Sequence, residues 1–188
     1  SAVREAVGFL DLTDRGKIEV TGPDRITFLH AMISNDVVGL VDLAGRYGTF
    51  LTDRGKMVAE FFYYKLPEVV LIDLAHDLLP VTKETLGKYI VMDEVELEDV
   101  SARRAHFSLQ GPRAPDLVEK LFGKAIPDQP YEVREVDWEG NTLWLVAKPE
   151  LADSGVELIL SDANSDGLKK AILEEGNSLG VAEISREA

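Results

Sequence analysis

The sequence predicts an α+β fold of two interleaved domains with mainly antiparallel sheets and flanking helices. The first observation is a unit that occurs twice, in which a strand is followed by Gly-Pro and then by a helix. Residues 17–21 precede Gly22-Pro23, and residues 106–110 precede Gly111-Pro112. The second observation is that the other strand patterns come in hairpins with helices between them. Such an order favours antiparallel sheets over a strictly alternating α/β architecture.

The remaining elements follow from the spacing of apolar residues. Helices are predicted over residues 24–33, 80–90 and 166–175, and another follows Pro112 with an apolar stripe at Ala114, Leu117, Val118, Leu121 and Phe122. Strands are predicted over residues 47–52, 57–65, 69–74, 95–100, 131–137, 142–148 and 156–160. Because the middle block has its own strands and helix, residues 47–103 are predicted to form an inserted α+β domain. The discontinuous domain then consists of residues 1–46 and 104–188.

The composition argues against several classes of function. The 188 residues contain no cysteine, which excludes disulfides and thiolate chemistry within this sequence, and a net charge of −14 disfavours nucleic acid and anionic membranes as partners. His30, His76 and His106 have no second ligand at metal spacing, so no metal site is expected. The apolar runs are shorter than the roughly 20 residues of a membrane span. The N-terminus lacks a secretory signal, so we expect a cytoplasmic protein.

Several sequence pieces, in order and spacing, resemble one superfamily. They are residues 21–25 with 28–29, residues 34–36, Tyr47 with residues 50–60, and residues 110–114. Together they are similar to the folate-binding T-proteins of glycine cleavage (aminomethyltransferases) and the related YgfZ proteins, and Leu-Thr-Asp-Arg-Gly-Lys at residues 51–56 is closer to the YgfZ branch. The resemblance implies the T-protein fold, a folate pocket between the interleaved domains, and a C-terminal barrel domain beyond residue 188.

The resemblance also implies pocket residues, beginning with Glu60. Family members carry an aspartate near the reactive nitrogens of the folate, and Glu60 stands at that position. The longer side chain favours binding over transfer, since a displacement of about 1 Å affects catalysis strongly. Tyr47, Phe62 and Tyr64 fall where the family lines its pocket, and strand alternation places Phe62 and Tyr64 on the same face as Glu60. Without the resemblance, these residues read as a surface glutamate and core aromatics.

Four further residues correspond to polar positions of the family. Glu157 matches the family's glutamate that binds the 2-amino and ring N–H groups of the pterin. A carboxylate suits this role because it offers two acceptor oxygens to two adjacent donors. The alternative interpretation of Glu157 is an exposed strand glutamate. Asn35 and Asp36 match an Asn-Asp pair just past the first helix, with a helix C-cap as the alternative for Asn35. Asp73 lies where some members have a polar pocket residue.

The resemblance therefore implies a tetrahydrofolate-binding protein. Two departures from the transferases favour a role in iron–sulfur enzyme maturation with a protein client. Glu60 replaces the expected aspartate, and residues 148–154 differ from the Arg-Thr-Gly-Tyr-Thr-Gly-Glu run of transferases. The first alternative is an aminomethyltransferase that works with a lipoylated carrier protein, and the second is a non-catalytic interaction domain. Because the family completes its pocket beyond residue 188, we expect residues 1–188 alone to bind folate weakly.

Overall fold

The computed structural model describes residues 5–161 and 165–185. It divides into two compact units: a discontinuous unit, made of the chain up to Thr13 and from Ala102 onward, and an inserted unit, Asp14–Ser101. In the described residues the strands are, in chain order, β1 (Val7–Asp11), β2 (Gly16–Thr21), β3 (Ala44–Leu51), β4 (Met57–Lys65), β5 (Val70–Leu74), β6 (Glu96–Asp99), β7 (Arg104–Gln110), β8 (Val133–Trp138), β9 (Asn141–Ala147), β10 (Gly155–Ser161) and β11 (Val181–Glu183). The α-helices are α1 (Arg25–Met32), α2 (Leu79–Lys88), α3 (Ala114–Phe122) and α4 (Ser165–Gly176).

Each unit contains one sheet. The inserted unit has the strand order β3-β4-β5-β2-β6, and its strand pairs are antiparallel. The discontinuous unit has the order β11-β1-β7-β10-β9-β8, in which β1 and β11 run parallel and the other pairs are antiparallel. The predicted α+β class with mainly antiparallel sheets is confirmed.

The predicted repeat is confirmed and extends beyond its first strand and helix. In the inserted unit the order β2-α1-β3-β4-β5-α2 builds the sheet order β2-β5-β4-β3, and in the discontinuous unit β7-α3-β8-β9-β10-α4 builds β7-β10-β9-β8. The two units therefore share one βαβββα topology. Both Gly-Pro glycines have left-handed φ, +100° at Gly22 and +133° at Gly111, which explains glycine at each strand-to-helix turn.

Each sheet packs one face against the helices of its own unit, and this face holds the unit's main apolar core. In the inserted unit Ala59, Phe61 and Tyr63 of β4 share a core with Phe28 of α1 and Leu86 of α2. In the discontinuous unit the core joins alternate residues of β7 and β10 to residues of α3 and α4; examples are Phe107, Leu109, Val156, Leu158, Leu117, Val118, Leu168 and Ile172. Because strand side chains alternate, the polar residues between these positions lie on the opposite face.

The first predicted domain boundary, near Arg46, is corrected to the junction after Thr13. The prediction assigned β2 and α1 to the discontinuous domain, but β2 pairs with β5 and β6 inside the inserted unit. This pairing joins strands that are distant in sequence, so it leaves no local signal. The second boundary, predicted near Arg103, lies at Ser101. Among residues 5–161 and 165–185, none of the helices combines the length and the apolar character of a bilayer-spanning helix.

We expect Gly22→Ala to lower the free energy of unfolding by about 2 kcal/mol or more, measured by urea denaturation. A Cβ at this position would lie 2.1 Å from the Glu94 carbonyl oxygen, and φ is +100°. Gly87→Ala is the matched control, because Gly87 lies in α2 with open space around its missing Cβ. It should raise stability by about 0.5 to 1 kcal/mol. Equal stability of the two variants would contradict the assigned turn geometry.

Candidate functional site

The face of the inserted sheet opposite its helices carries a row of paired side chains. Strand register places Tyr47 opposite Phe62, Phe62 opposite Asp73, and Asp73 opposite Lys17. Directly paired residues in neighbouring strands point to the same face, so the row crosses β3, β4, β5 and β2 in order. Two predicted aromatic residues and one predicted acid thus meet on one surface.

Glu60 joins this row through Tyr47. The Tyr47 hydroxyl donates a hydrogen bond of 2.6 Å to Glu60 Oε2. This hydrogen bond is the main reason that the pKa of Tyr47 is raised above its ordinary value, with smaller contributions from burial and from the negative charge of Glu60. The Tyr47 and Phe62 rings meet edge to face, with centroids 5.8 Å apart. The structure therefore places a carboxylate beside a pair of aromatic rings.

Asp73 is fully buried and forms an ion pair that the sequence did not reveal. Arg15 Nε donates to Asp73 Oδ1 at 2.7 Å, and Lys17 Nζ donates to the Arg15 carbonyl oxygen at 2.8 Å. A buried carboxylate is stable only when a cation or several donors compensate its charge. Asp73 therefore holds the Arg15 side chain in place on this face.

These side chains border a cavity of about 280 Å³ within the inserted unit. Its lining comprises Arg15, Tyr47, Glu60, Phe61, Phe62, Ala75 and Leu78. The cavity combines aromatic walls with a cation and a carboxylate. Such a mixture suits a flat heterocycle that carries both donors and acceptors, because the rings cover its faces and the charged groups fix its orientation.

Tyr64 lies outside this cavity lining, although strand alternation places it on the same face as Glu60 and Phe62. Its side chain is buried, with 1% exposure, and it pairs with Gly45 of β3. A Cβ at Gly45 would lie 2.3 Å from Tyr64 Cδ1, so glycine is required for the ring to cross the neighbouring strand. The Tyr64 ring therefore lies over the β3 backbone at Gly45, where β3 has no side chain.

Asn35 and Asp36 hold the loop that follows α1. The Asn35 side-chain amide donates to the Tyr47 carbonyl oxygen at 2.9 Å, which links this loop to β3. Asp36 Oδ1 accepts the Gly39 backbone N–H at 2.8 Å. The C-cap of α1 is Ile33, so Asn35 does not cap the helix. Asn35 therefore holds the β3 backbone at Tyr47 through this hydrogen bond.

In the discontinuous unit, Glu157 of β10 is fully buried between the side chains of His106 and Lys148. Its Oε2 lies 2.7 Å from His106 Nε2, and its Oε1 lies 3.0 Å from Lys148 Nζ. Burial alone raises the pKa of Glu157, but attraction and hydrogen bonds from His106 and Lys148 outweigh burial and lower the pKa from 4.5 to about 2. Glu157 is therefore a permanent anion at neutral pH and not the exposed strand glutamate of the alternative interpretation.

The three basic partners, Arg15, His106 and Lys148, were not predicted from the sequence. One signal was present in the repeat. His106 and Lys17 both stand at the fifth residue before the glycine of their Gly-Pro, and both are fully buried on the first strand of their repeat. A buried basic side chain at the same place in both repeats predicts a nearby carboxylate.

Replacing Glu60 with alanine should lower the pKa of Tyr47 toward 10.0, because the hydrogen bond and the charge that raise it are both removed. The pKa is measured by NMR titration of tyrosine labelled with ¹³C at Cζ, with Tyr47→Phe used to assign the resonance. The control is Glu68→Ala, an exposed acid on the turn after β4. An unchanged Tyr47 pKa in Glu60→Ala would show that the two side chains do not meet in solution.

The Glu157 cluster makes stability depend on pH in a defined direction. Because the folded pKa lies below 4.5, the contribution of Glu157 is complete above about pH 4.5 and is lost as the pH falls toward 2. Its size is on the order of 3 kcal/mol. In Glu157→Gln this acidic slope should flatten in urea denaturation series, and stability at pH 7 should fall by about 3 to 5 kcal/mol because His106 and Lys148 lose their anion.

Glu150→Gln provides the comparison for that series. Glu150 also contacts Lys148, at 3.3 Å, but its side chain is 45% exposed. Its loss should cost less than about 1 kcal/mol and leave the acidic slope in place. If both variants behave alike, burial does not govern the energetics of this cluster.

The comparisons with known proteins agree with this fold. The family model described as the GCVT N-terminal domain matches residues 1–188. A probable aminomethyltransferase of Pyrococcus horikoshii is 28% identical over 96% of this chain, and an aminomethyltransferase of Shouchella clausii is 29% identical over 96% of it. The crystal structure of glycine cleavage system aminomethyltransferase T from Bartonella henselae superposes on 97% of this chain with a TM-score of 0.84 at 19% identity.

The match covers only part of each relative. This chain spans 51% of the Pyrococcus protein, 50% of the Shouchella protein and 48% of the Bartonella chain, or about half the length of each. Because the family model matches residues 1–188, the chain as a whole belongs to the GCVT N-terminal domain family, the family of the aminomethyltransferase T-proteins.

Proposed function

We propose that this chain binds tetrahydrofolate and serves aminomethyl transfer of the glycine-cleavage type. The observation that carries the proposal is the cavity in which Tyr47 donates to Glu60 beside the ring of Phe62. Membership of the GCVT N-terminal domain family and the aminomethyltransferase relatives support the reaction class. The chain's own residues fit a folate, since an aromatic wall and an adjacent carboxylate are what a flat, N–H-rich ring requires.

Tyr47 and Phe62 would bind the folate through their ring surfaces, and the Tyr47 hydroxyl would orient Glu60. Tetrahydrofolate supplies the nitrogens that take up the one-carbon unit. A carboxylate at hydrogen-bonding distance from such a nitrogen can hold its N–H and accept a proton from it, and a positioned base typically contributes about 10² to 10⁴-fold in rate. Glu60 is the group of this cavity that can do so, with Tyr47 setting the direction of its oxygen atoms.

Glu157 remains the proposed acceptor for the amino and ring N–H groups of the pterin. Its low pKa keeps it ionised, as such an acceptor requires. Lys148 and His106 would compensate its charge when ligand is absent. The proposed roles of the other predicted residues are indirect: Asn35 and Asp36 would support Tyr47 through their loop, Asp73 would hold Arg15 at the cavity, and Tyr64 would stiffen β4.

Support of iron–sulfur enzyme maturation is the second candidate function. It rests on Leu-Thr-Asp-Arg-Gly-Lys at residues 51–56 and on Glu60 in place of the aspartate that the resemblance leads us to expect. The two relatives compared above are both named as aminomethyltransferases, so the comparisons favour aminomethyl transfer. An assay with a lipoylated carrier protein separates the two functions, because only a transferase releases ammonia from the carrier-bound aminomethyl group.

The test is a calorimetric titration of the full-length gene product with tetrahydrofolate, followed by the carrier assay. We expect saturable binding, and in Glu60→Gln a fall in kcat of about 100-fold or more. The dissociation constant of this variant should change by less than about tenfold, because the aromatic walls are intact. Phe62→Leu should show the reverse pattern, with weaker binding and a smaller effect on kcat.

Glu96→Gln is the matched control for these variants, since it removes an exposed charge from β6 of the same unit. It should leave binding and kcat unchanged. Absence of binding up to about 1 mM tetrahydrofolate would refute folate binding, since affinity would then be weaker than about −4 kcal/mol. Binding without ammonia release would reject aminomethyl transfer and leave the iron–sulfur candidate in place.

A further inference from the structure

The discontinuous unit contains a groove that has no part in the proposed folate chemistry. It has a volume of about 390 Å³ and lies between the start of α3, the segment before β8 and the loop between β9 and β10. Its walls include Pro115, Ile126, Pro127, Pro130 and Pro149. The groove is as large as a typical ligand pocket, for which about 300 to 1,000 Å³ is usual.

Hydrogen bonds anchor both walls of this groove. Arg134 Nη1 donates to the Ala125 carbonyl oxygen at 2.6 Å, and the Tyr131 N–H donates to the Ala147 carbonyl oxygen at 2.7 Å, which anchors the segment before β8. The opposite loop is held by Gln110, which is fully buried. The four prolines of the walls restrict the backbone further, because the pyrrolidine ring of proline fixes φ. A preformed groove loses little entropy when it binds a partner.

Gln110 organises the loop through both ends of its side-chain amide. Its Oε1 accepts the backbone N–H of Glu150 at 3.1 Å and that of Leu151 at 3.3 Å, while its Nε2 donates to the Lys148 carbonyl oxygen at 2.9 Å. A Cβ at Gly155 would lie 2.1 Å from Gln110 Oε1, so the close approach depends on glycine. The loop that carries Pro149 and Asp153 is therefore anchored to β7 through the Gln110 side chain.

Three carboxylates border the apolar walls: Glu119 of α3, Asp128 and Asp153. Within residues 5–161 and 165–185, none of the three forms an ion pair. The three side chains are exposed, and they outnumber the one guanidinium described above at the groove, that of Arg134 beside Ala125, in a protein whose net charge is −14. A groove lined by charges of one sign concentrates ligands of the opposite sign.

We propose that this groove binds an extended peptide segment in which basic and apolar side chains alternate. The aliphatic stems of arginine or lysine would lie along the proline and isoleucine walls, while their charged heads reach the carboxylates. Arginine suits the site because its guanidinium pairs with carboxylates in a fixed, bidentate geometry. The apolar residues between the basic ones would fill the remaining wall area. This proposal is independent of folate binding.

The test uses the full-length gene product and a fluorescein-labelled peptide, Ac-Ala-Arg-Leu-Arg-Leu-Ala, with a second peptide in which both arginines are citrulline. Fluorescence anisotropy should show saturable binding of the arginine peptide and at least tenfold weaker binding of the citrulline peptide. The triple substitution Glu119→Gln, Asp128→Asn and Asp153→Asn should weaken arginine-peptide binding by about tenfold, because three exposed pairs are lost.

The matched control neutralises three exposed carboxylates of the inserted unit, Asp53→Asn, Glu68→Gln and Glu96→Gln. It changes the net charge equally and should leave peptide affinity within about twofold. Equal weakening by both triple variants would show non-specific attraction and overturn the proposal. So would absence of saturation up to about 1 mM peptide. Competition by spermidine at the same affinity as the peptide would reassign the groove to small polyamines and likewise overturn the peptide assignment.

Discussion

Side chains alternate between the two faces of each sheet, and this alternation decides which residues enter the core and which line the candidate site. In both units the helices cover one sheet face, which holds the main apolar core, and the buried charged side chains of the strands lie on the other face. There Asp73 and Glu157 are fully buried and need polar partners, which Arg15 provides for Asp73 and which His106 and Lys148 provide for Glu157. The Tyr47–Glu60 hydrogen bond lies on the same face but is exposed to solvent, with Tyr47 44% exposed.

The repeated βαβββα topology explains why both units hold buried charges. A basic residue occupies the same position of the first strand in each repeat, Lys17 in one and His106 in the other, and a buried acid lies on the same face. The acids differ in register: Asp73 pairs directly with Lys17, whereas Glu157 pairs with Ser108, two residues beyond His106. The two repeats therefore share one topology but arrange their buried charges differently.

Much of this could be predicted from the sequence because the signals were local. The Gly-Pro turns, the apolar stripe of α3 and the alternation that places Glu60 and Phe62 on one face all follow from neighbouring residues. Pairing between distant strands carries no such signal, so neither the position of β2 in the inserted unit nor the contacts of Arg15 and Lys148 could be predicted, and only the repeat marked the position of His106. Tyr64 was placed on the correct face, but its packing against Gly45 depends on the neighbouring strand.

Binding of the reactive ring of a folate at the polar face of the inserted sheet can be observed directly. The measurement is a crystal structure of the full-length gene product with tetrahydrofolate. We expect electron density for the folate ring against Tyr47 and Phe62, with a Glu60 oxygen within about 3.2 Å of a ring nitrogen. Density for the folate elsewhere on the protein, with the Tyr47–Glu60 cavity holding only solvent, would refute this assignment.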